Sequence, residues 1–316
     1  MKILVTGADG FVGSLLAMRL AEQGHNVTGA LKPSAVSQVD QARRDALSGL
    51  RTVPLDLDDA ESMSCVIAEG WEVVVHLAAV SSGADAKRDP LAAWLVNTVG
   101  SARLSDALGQ AKIAGEDPLL LFVSTAEVYG AGLETMHVET DPVLPISPYA
   151  ASKLAAEVAC LEVHRRTGLR VVVARPFPHI GPGQDTRFVV PAFLERIRFA
   201  KQIDAPVVKV GRIDPVREFT HVSDVVMAYT LLIEKGAPGE VYNVACGRAT
   251  SVRDLFFMLS DAVQHRVIPE EDHDLIRPVD IPYLVGDSSK LRAETGWEPS
   301  ISLEETIREI VDAEAN

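Results

Sequence analysis

Cysteine is scarce in this chain. Cys65, Cys160 and Cys246 are the only three in 316 residues, far apart and in no metal-ligand spacing. That argues against a disulfide framework and a metal site, and fits a reduced, cytoplasmic protein. Positive charge is also in short supply. Thirty Lys and Arg stand against 44 Asp and Glu, a formal net charge of −14. This balance argues against nucleic acid or an anionic membrane surface as a partner, and an anionic small ligand would need cations placed locally. No stretch approaches the roughly 20 apolar residues that cross a bilayer. The opening residues 1–5 are apolar but stop at Gly7, which reads as a strand and not as a signal peptide or a membrane span. Internal repeats and low-complexity segments are missing as well. What is present is 47% hydrophobic and 23% charged, the composition of a soluble globular protein long enough for one large domain or two ordinary ones.

The N-terminal apolar run leads into Gly7-Ala8-Asp9-Gly10-Phe11-Val12-Gly13 and then a helical pattern to about residue 23. Strand, glycine turn and helix in this order form a phosphate cradle. Gly7 allows the tight turn, Gly10 lets backbone approach a pyrophosphate, and Gly13 allows close helix packing. The helix N-terminus at Phe11 and Val12 supplies free N–H groups and a positive dipole end. The spacing is G-x-x-G-x-x-G, and read alone it is also a structural turn of any α/β protein. A second strand covers residues 25–31. A carboxylate at its end would select NAD through the ribose 2′-OH. This chain has Lys32-Pro33-Ser34 there instead, so NADP is favoured and NAD remains possible. Lys32 is otherwise a solvated loop lysine.

Further strands are expected at 51–55, 73–77, 118–124 and 169–174, separated by helices. Asp56 and Leu57 follow the third strand, where Asp56 is placed to meet an adenine amino group. Asp58 and Asp59 read as the cap and first-turn acid of the next helix. The fourth strand, fully apolar as a buried parallel strand should be, runs through His76 into Leu77, Ala78 and Ala79, whose small side chains leave room for a ligand. His76 itself reads as a satisfied core histidine. A long helix is expected from Pro90 to about residue 114, with Asn97 inside it. The fifth strand ends at Ser124-Thr125-Ala126-Glu127, on the carboxyl edge where such sheets bind ligands.

Ser147-Pro148-Tyr149-Ala150-Ala151-Ser152-Lys153 opens another helix, with Ser147 as N-cap and Pro148 in the first position. Tyr149 and Lys153 are one turn apart on one face. An ammonium beside a phenol lowers its pKa and makes it a candidate proton donor to a carbonyl. The pair is also a common surface coincidence, and Thr125 adds a hydroxyl that would share the same carbonyl oxygen. Regular alternation ends near Arg175-Pro176. The fold expected is α/β: a Rossmann-type doubly wound parallel sheet over residues 1–175, with a smaller mixed α/β substrate lobe over 176–316, some segments of which return to the sheet.

Together, the glycine turn, Ser124-Thr125 and Tyr149-x-x-x-Lys153 resemble the extended short-chain dehydrogenase/reductases, the NAD-dependent epimerase/dehydratase family, along essentially the whole chain. Arg175-Pro176-Phe177-Pro178-His179-Ile180-Gly181-Pro182-Gly183-Gln184, Arg217-Glu218-Phe219-Thr220 and Arg277-Pro278 resemble its GDP-sugar branch, and most of all the GDP-4-keto-6-deoxy-D-mannose reductases. The resemblance implies NADPH-dependent reduction of the C4 ketone of a nucleotide-linked 6-deoxyhexose, giving GDP-D-rhamnose or its C4 epimer. Thr125, Tyr149, Lys153 and Glu127 are the catalytic candidates. Ser81, Glu127, His179, Arg217 and Arg277 are the substrate candidates, the two arginines for the diphosphate, a role their planar forks suit. Either arginine alone is also a surface ion pair. No metal is expected.

Two departures matter. Pro178 stands where relatives usually carry Asn, which removes a polar contact to the substrate. Ala126-Glu127 stands where some dehydratases carry Asp-Glu, so the acid of a dehydration is missing while Glu127 remains as a base or a substrate-hydroxyl acceptor. A 4,6-dehydratase or epimerase with tightly bound cofactor is the second reading, and a non-catalytic dinucleotide sensor a distant third. The resemblance also implies a homodimer, built by the helices from Pro90 and Pro148, with Leu154, Ala155, Val158 and Leu161 as candidate apolar positions.

Overall fold

A computed structural model describes residues 1–33, 43, 45, 47–132, 134–276 and 280–313. Seven strands form one sheet: β1 (Lys2–Thr6), β2 (Asn26–Leu31), β3 (Arg51–Pro54), β4 (Val73–His76), β5 (Leu119–Val123), β6 (Arg170–Pro176) and β7 (Val241–Val244). Their spatial order is β7-β6-β5-β4-β1-β2-β3, and every neighbouring pair is parallel. This is the doubly wound order read from the sequence, with its crevice at the carboxyl edge between β1 and β4, where the winding reverses. The inner strands are apolar on both faces because helices cover both, so β4 and β5 are buried along their whole length.

Helices α1 (Phe11–Glu22), α2 (Ala60–Ile67), α3 (Ser101–Ile113) and α4 (Pro148–Thr167) connect the first six strands. Ser147 caps its helix as read, whereas the second cap is Asp59 and not Asp58, with Glu61 as the first-turn acid. The Ser147 hydroxyl accepts the Ala150 N–H (3.1 Å), and the Asp59 carboxylate accepts that of Glu61 (3.0 Å). One helix departs from expectation. The run from Pro90 is an α-helical turn (Pro90–Ala93), then a π-helical stretch (Trp94–Gly100), then α3. The π-stretch carries Asn97 and Thr98 to α4, where Asn97 donates to the Ser152 hydroxyl (3.0 Å) and Thr98 to the Ser152 carbonyl (2.8 Å). The same Asn97 amide accepts the Val80 N–H at 2.8 Å. A wide turn inside an α-helix is a local strain that specific contacts must hold, and these contacts lie beside the carboxyl edge.

The elements of the second half pack partly on the sheet and partly on one another. Helix α5 (Val189–Gln202), helix α7 (Val252–Ala262) and helix α8 (Leu303–Ala313) pack around Phe193, Ile197, Leu255, Phe256 and Ile307 in a core of their own. Helix α6 (Val222–Lys235) and β7 instead return to the sheet, burying Val225, Tyr229, Leu232 and Tyr242 with α1. A small three-stranded sheet, Thr250–Ser251, Val216–Arg217 and Tyr283–Leu284, stands beside the lobe. Among the described residues, no helix is long and apolar enough to cross a membrane.

Candidate active site

The glycine turn is built as its spacing requires. Gly7 sits at φ +66°, and a Cβ there would lie 2.9 Å from the backbone of Ala78. A Cβ on Gly13 would lie 2.1 Å from the Gly7 carbonyl oxygen, so the helix start and the strand end are in contact through backbone. No side chain caps α1, and its first turn holds no acid. The N–H groups at its start therefore face the crevice without a carboxylate competing for the place of an anion. The Phe11 and His179 rings lie parallel and offset, centroids 6.3 Å apart, which puts His179 at this turn. Its imidazole is pushed below the usual range by burial. Leu77, Ala78 and Ala79 are half-buried along the crevice, Leu57 is buried, and Lys32 is exposed at the end of β2. The Asp56 carboxylate accepts the Asp58 N–H (3.1 Å), a turn contact that engages one of its oxygens. Ser34 and Arg277 lie outside the described residues. His76 is the core histidine read from the sequence. Its ring lies between the Thr6 hydroxyl (2.8 Å) and the Ser101 hydroxyl (3.0 Å), and burial holds its pKa at about 3.

Thr125 follows β5 and caps the short 3-10 turn Ala126–Tyr129, its hydroxyl accepting the Glu127 N–H (3.2 Å). Tyr149, in the first turn of α4, reaches the same hydroxyl, and the Glu127 carboxylate is near enough to act on its charge. Ser147, the α4 cap, also donates to Glu127 (3.4 Å). Thr125, Glu127 and Tyr149 thus meet at the carboxyl edge as the sequence arranged them. Ser81 is exposed beside the buried Ser82, which caps the following helix.

The electrostatics differ from the expected pair. Burial raises the Tyr149 phenol well above its ordinary pKa, Glu127 raises it further, and only Thr125 opposes. Lys153 is 3% exposed and lies over the Phe122 ring, 4.5 Å from its centroid. Burial pushes its ammonium down to about 8, against the pull of Cys160 and Glu157. The charge coupling that the one-turn spacing suggested is absent from this geometry. Desolvation wins, because moving a phenolate out of water costs more than a charge one turn away returns. Tyr149 is therefore held as a neutral phenol, with a proton to give.

Sequence reasoning missed the support behind the site. Arg175 of β6 and Glu157 of α4 form a buried pair (2.8 Å), 6% and 2% exposed. Glu157 also takes the Ser124 hydroxyl, one residue before Thr125. The Arg175 guanidinium donates to the Tyr129 hydroxyl (3.1 Å), which donates to Asn243 of β7 (2.6 Å). The available signal was Glu157 one turn beyond Lys153 on the same helix, and Arg175 closing an apolar run, Val171 to Ala174, on the strand that follows.

Arg217, a candidate diphosphate ligand, is half-buried and paired with Asp280 (2.7 Å), while also donating to the Val216 carbonyl (2.8 Å). Among the described residues, no cluster of His, Cys, Asp or Glu is arranged to hold a metal ion.

A family model described as GDP-mannose 4,6 dehydratase matches residues 4–310. The chain is 35% identical to GDP-6-deoxy-D-mannose reductase of Pseudomonas aeruginosa over 314 residues, 98% of this chain and 96% of the relative. The structure of RMD from Pseudomonas aeruginosa, complexed with NADPH, superposes with a TM-score of 0.81 at 32% identity, covering 99% of this chain and 98% of that one. UDP-glucose 4-epimerase of Thermotoga maritima, solved with UDP-glucose, gives a TM-score of 0.87 at 30% identity over 100% and 99% of the two chains. Sheet order, glycine turn, the Thr125–Tyr149 contact and these similarities agree: the chain belongs to the GDP-mannose 4,6 dehydratase family of the extended short-chain dehydrogenase/reductases, and it is an enzyme.

Proposed function

We propose that the protein reduces the C4 ketone of a nucleotide-linked 4-keto-6-deoxyhexose with NADPH, and that the sugar is GDP-linked. The observation that carries this reading is the Tyr149 phenol, held above its ordinary pKa by burial, beside the Thr125 hydroxyl and Glu127 at the carboxyl edge. A carbonyl oxygen placed between the two hydroxyls takes hydrogen bonds from both. Tyr149 delivers its proton as charge develops there, and Thr125 holds the same oxygen in place. The dinucleotide, when bound, supplies the hydride. The residues that would hold it fit an extended anionic ligand: the uncapped start of α1 from Gly10 to Val12 for the pyrophosphate, Leu77 to Ala79 along its length, Leu57 near the adenine, and Lys153 for the ribose hydroxyls. Lys32, exposed at the end of β2 in a stretch, residues 30–34, whose sequence holds no carboxylate, favours NADP.

Arg217 takes the substrate diphosphate with Arg277, and Ser81 and Glu127 contact the sugar. In this acidic protein the fixed arginine supplies the local positive charge that an anionic substrate needs. Ala126 is fully buried and has no proton to give, which disfavours a dehydration that needs an acid at that position. Glu127 acts on Tyr149 electrostatically, and this contact favours a second reading, a 4,6-dehydratase or epimerase in which Glu127 takes the sugar proton and the cofactor is regenerated. The protein works as a homodimer in the cytoplasm. Leu91, Trp94 and Leu95 on one helix and Val158 on α4 are exposed apolar residues suited to a two-fold helix bundle.

The deciding experiment offers NADPH and a panel of GDP-, dTDP- and UDP-linked 4-keto-6-deoxy sugars, with the product assigned by NMR. Stoichiometric loss of NADPH absorbance with a GDP-sugar supports the reductase. Conversion without NADPH consumption, from protein that carries bound cofactor, establishes the second reading instead. The cradle has its own test. Gly13→Ala places a Cβ against the Gly7 carbonyl, and dinucleotide affinity should fall by at least about tenfold, since turn and helix start must separate. An unchanged calorimetric Kd for NADPH means the phosphates bind elsewhere.

A further inference from the structure

Glu218 is a carboxylate that the reaction does not use and that the solvent does not reach. It is 0% exposed. It follows Arg217 directly, and in an extended chain successive side chains leave on opposite sides. Arg217 stays half-buried on the Asp280 side, while Glu218 turns inward. There it accepts three backbone N–H groups from two different segments: Cys246 (2.6 Å) and Gly247 (3.3 Å) after β7, and Gly286 (2.8 Å) after the short strand Tyr283–Leu284. The Thr220 hydroxyl adds a fourth donor (3.3 Å).

The two segments flank the strand that carries Arg217. Val216–Arg217 pairs antiparallel with Thr250–Ser251, where Arg217 faces Thr250, and parallel with Tyr283–Leu284, where Arg217 faces Leu284. Strands of two residues contribute few ladder bonds, so they do not fix their own register. The Asp280 that orients the guanidinium lies just upstream of the second flanking strand, and the Val216 N–H reaches the Pro282 carbonyl (2.8 Å). Whatever clamps these three segments therefore sets the position of the Arg217 fork.

We propose that Glu218 is a positioning residue for the nucleotide-sugar site: by gathering the N–H groups of Cys246, Gly247 and Gly286 on one buried carboxylate, it holds both flanking segments against Val216–Arg217 and fixes where the guanidinium meets the substrate diphosphate. This inference rests on the proposed role of Arg217. Burial lifts the Glu218 carboxyl to about 7, and the N–H donors oppose the rise. The charged form is the better acceptor for three amides. The clamp consequently tightens as pH rises through about 7, and sugar-nucleotide affinity rises with it. Other titratable groups surround the corner. The Cys246 thiol is pushed up by burial and by Glu218, and so stays neutral. Arg217 and Asp280 lie across the strand, His179 pairs with Thr220, and His221 meets Glu309 at 3.1 Å. A histidine contribution to the pH dependence would survive loss of the carboxylate, and this separates the two sources.

The test is calorimetric binding of GDP-mannose, UDP-glucose and dTDP-glucose, with NADPH as the internal control, to the wild type, Glu218→Gln and Glu218→Asp from pH 6 to 8.5. These sugar diphosphates are diesters whose phosphates do not titrate in that range. In Glu218→Gln one oxygen becomes an NH2 that meets N–H donors. Binding of the preferred sugar nucleotide should weaken about tenfold, the NADPH Kd should hold, and the pH slope should flatten. Glu218→Asp keeps the charge with a shorter reach, and should retain the slope at reduced affinity. If wild type binds a sugar nucleotide and Glu218→Gln binds it equally well, or with the same pH slope, the clamp is refuted. Should Glu218→Gln not fold, a wild-type affinity independent of pH refutes it as well. If wild type binds none of the three, the nucleotide-sugar reading itself fails, and the inference falls with it.

Discussion

Tyr149→Phe should retain NADPH binding and lose turnover by roughly a thousandfold, within the range that a positioned acid contributes. The substitution removes one oxygen and leaves the ring that fills the half-buried first turn of α4, so folding and cofactor affinity are expected to be unaffected. What disappears is the phenol hydroxyl that stands beside Thr125 at the carboxyl edge. The pH profile distinguishes this donor from its neighbour. The Tyr149 pKa is raised, so its proton is present throughout the working range and sets no alkaline limb there. The Lys153 ammonium, pushed down to about 8 by burial, loses its charge as pH rises through that value, and kcat/KM should decline there. A Tyr149→Phe enzyme turning over within about tenfold of wild type would remove Tyr149 from the mechanism.

The second large effect is on stability. Arg175→Met should destabilise the fold by about 3–5 kcal/mol, because it leaves Glu157 charged, buried and without its partner. In a chain of this length that corresponds to a Tm lower by on the order of 10 °C, read by calorimetry. The Glu157→Leu/Arg175→Met pair should recover most of the loss, since an apolar replacement of both partners removes the desolvation cost along with the attraction. A single substitution that leaves Tm within about 2 °C of wild type would show that solvent relieves the isolated carboxylate. The pair also steers Ser124 and hence the start of the Thr125 turn, so the double variant should fold yet turn over more slowly than wild type.

The doubly wound sheet was legible because its signals are local. Apolar runs, the glycine turn and the Ser147-Pro148 cap each act within a few residues, and each stands where it was read. Tyr149, Thr125 and Glu127 were legible for the same reason, since strand ends and helix starts gather at one edge. The relation between Tyr149 and Lys153 was not. Spacing on a helix says which side chains share a face, but the pKa of each follows from burial, which depends on Phe122, Cys160 and Glu157 from three-dimensional packing. Glu218 was hidden likewise. Its partners are backbone amides nearly 30 and 70 residues away, and backbone amides carry no side-chain signature.

The π-stretch before α3 acts as a phase shift. An α-helix advances about 100° per residue, so one surplus residue turns everything downstream by that amount. Leu91 before it and Trp94 and Leu95 at its start face outward, and downstream Leu104 and Leu108 face the sheet at 0% and 1% exposure. Deleting any one residue from 94 to 100 would give a smoother helix and the wrong protein. Either the outward face would rotate onto the core or Leu104 and Leu108 would rotate off it. The segment is thus intolerant of length change in a way that no single side chain reveals, and a deletion scan across it should find loss of the fold at every position from 94 to 100.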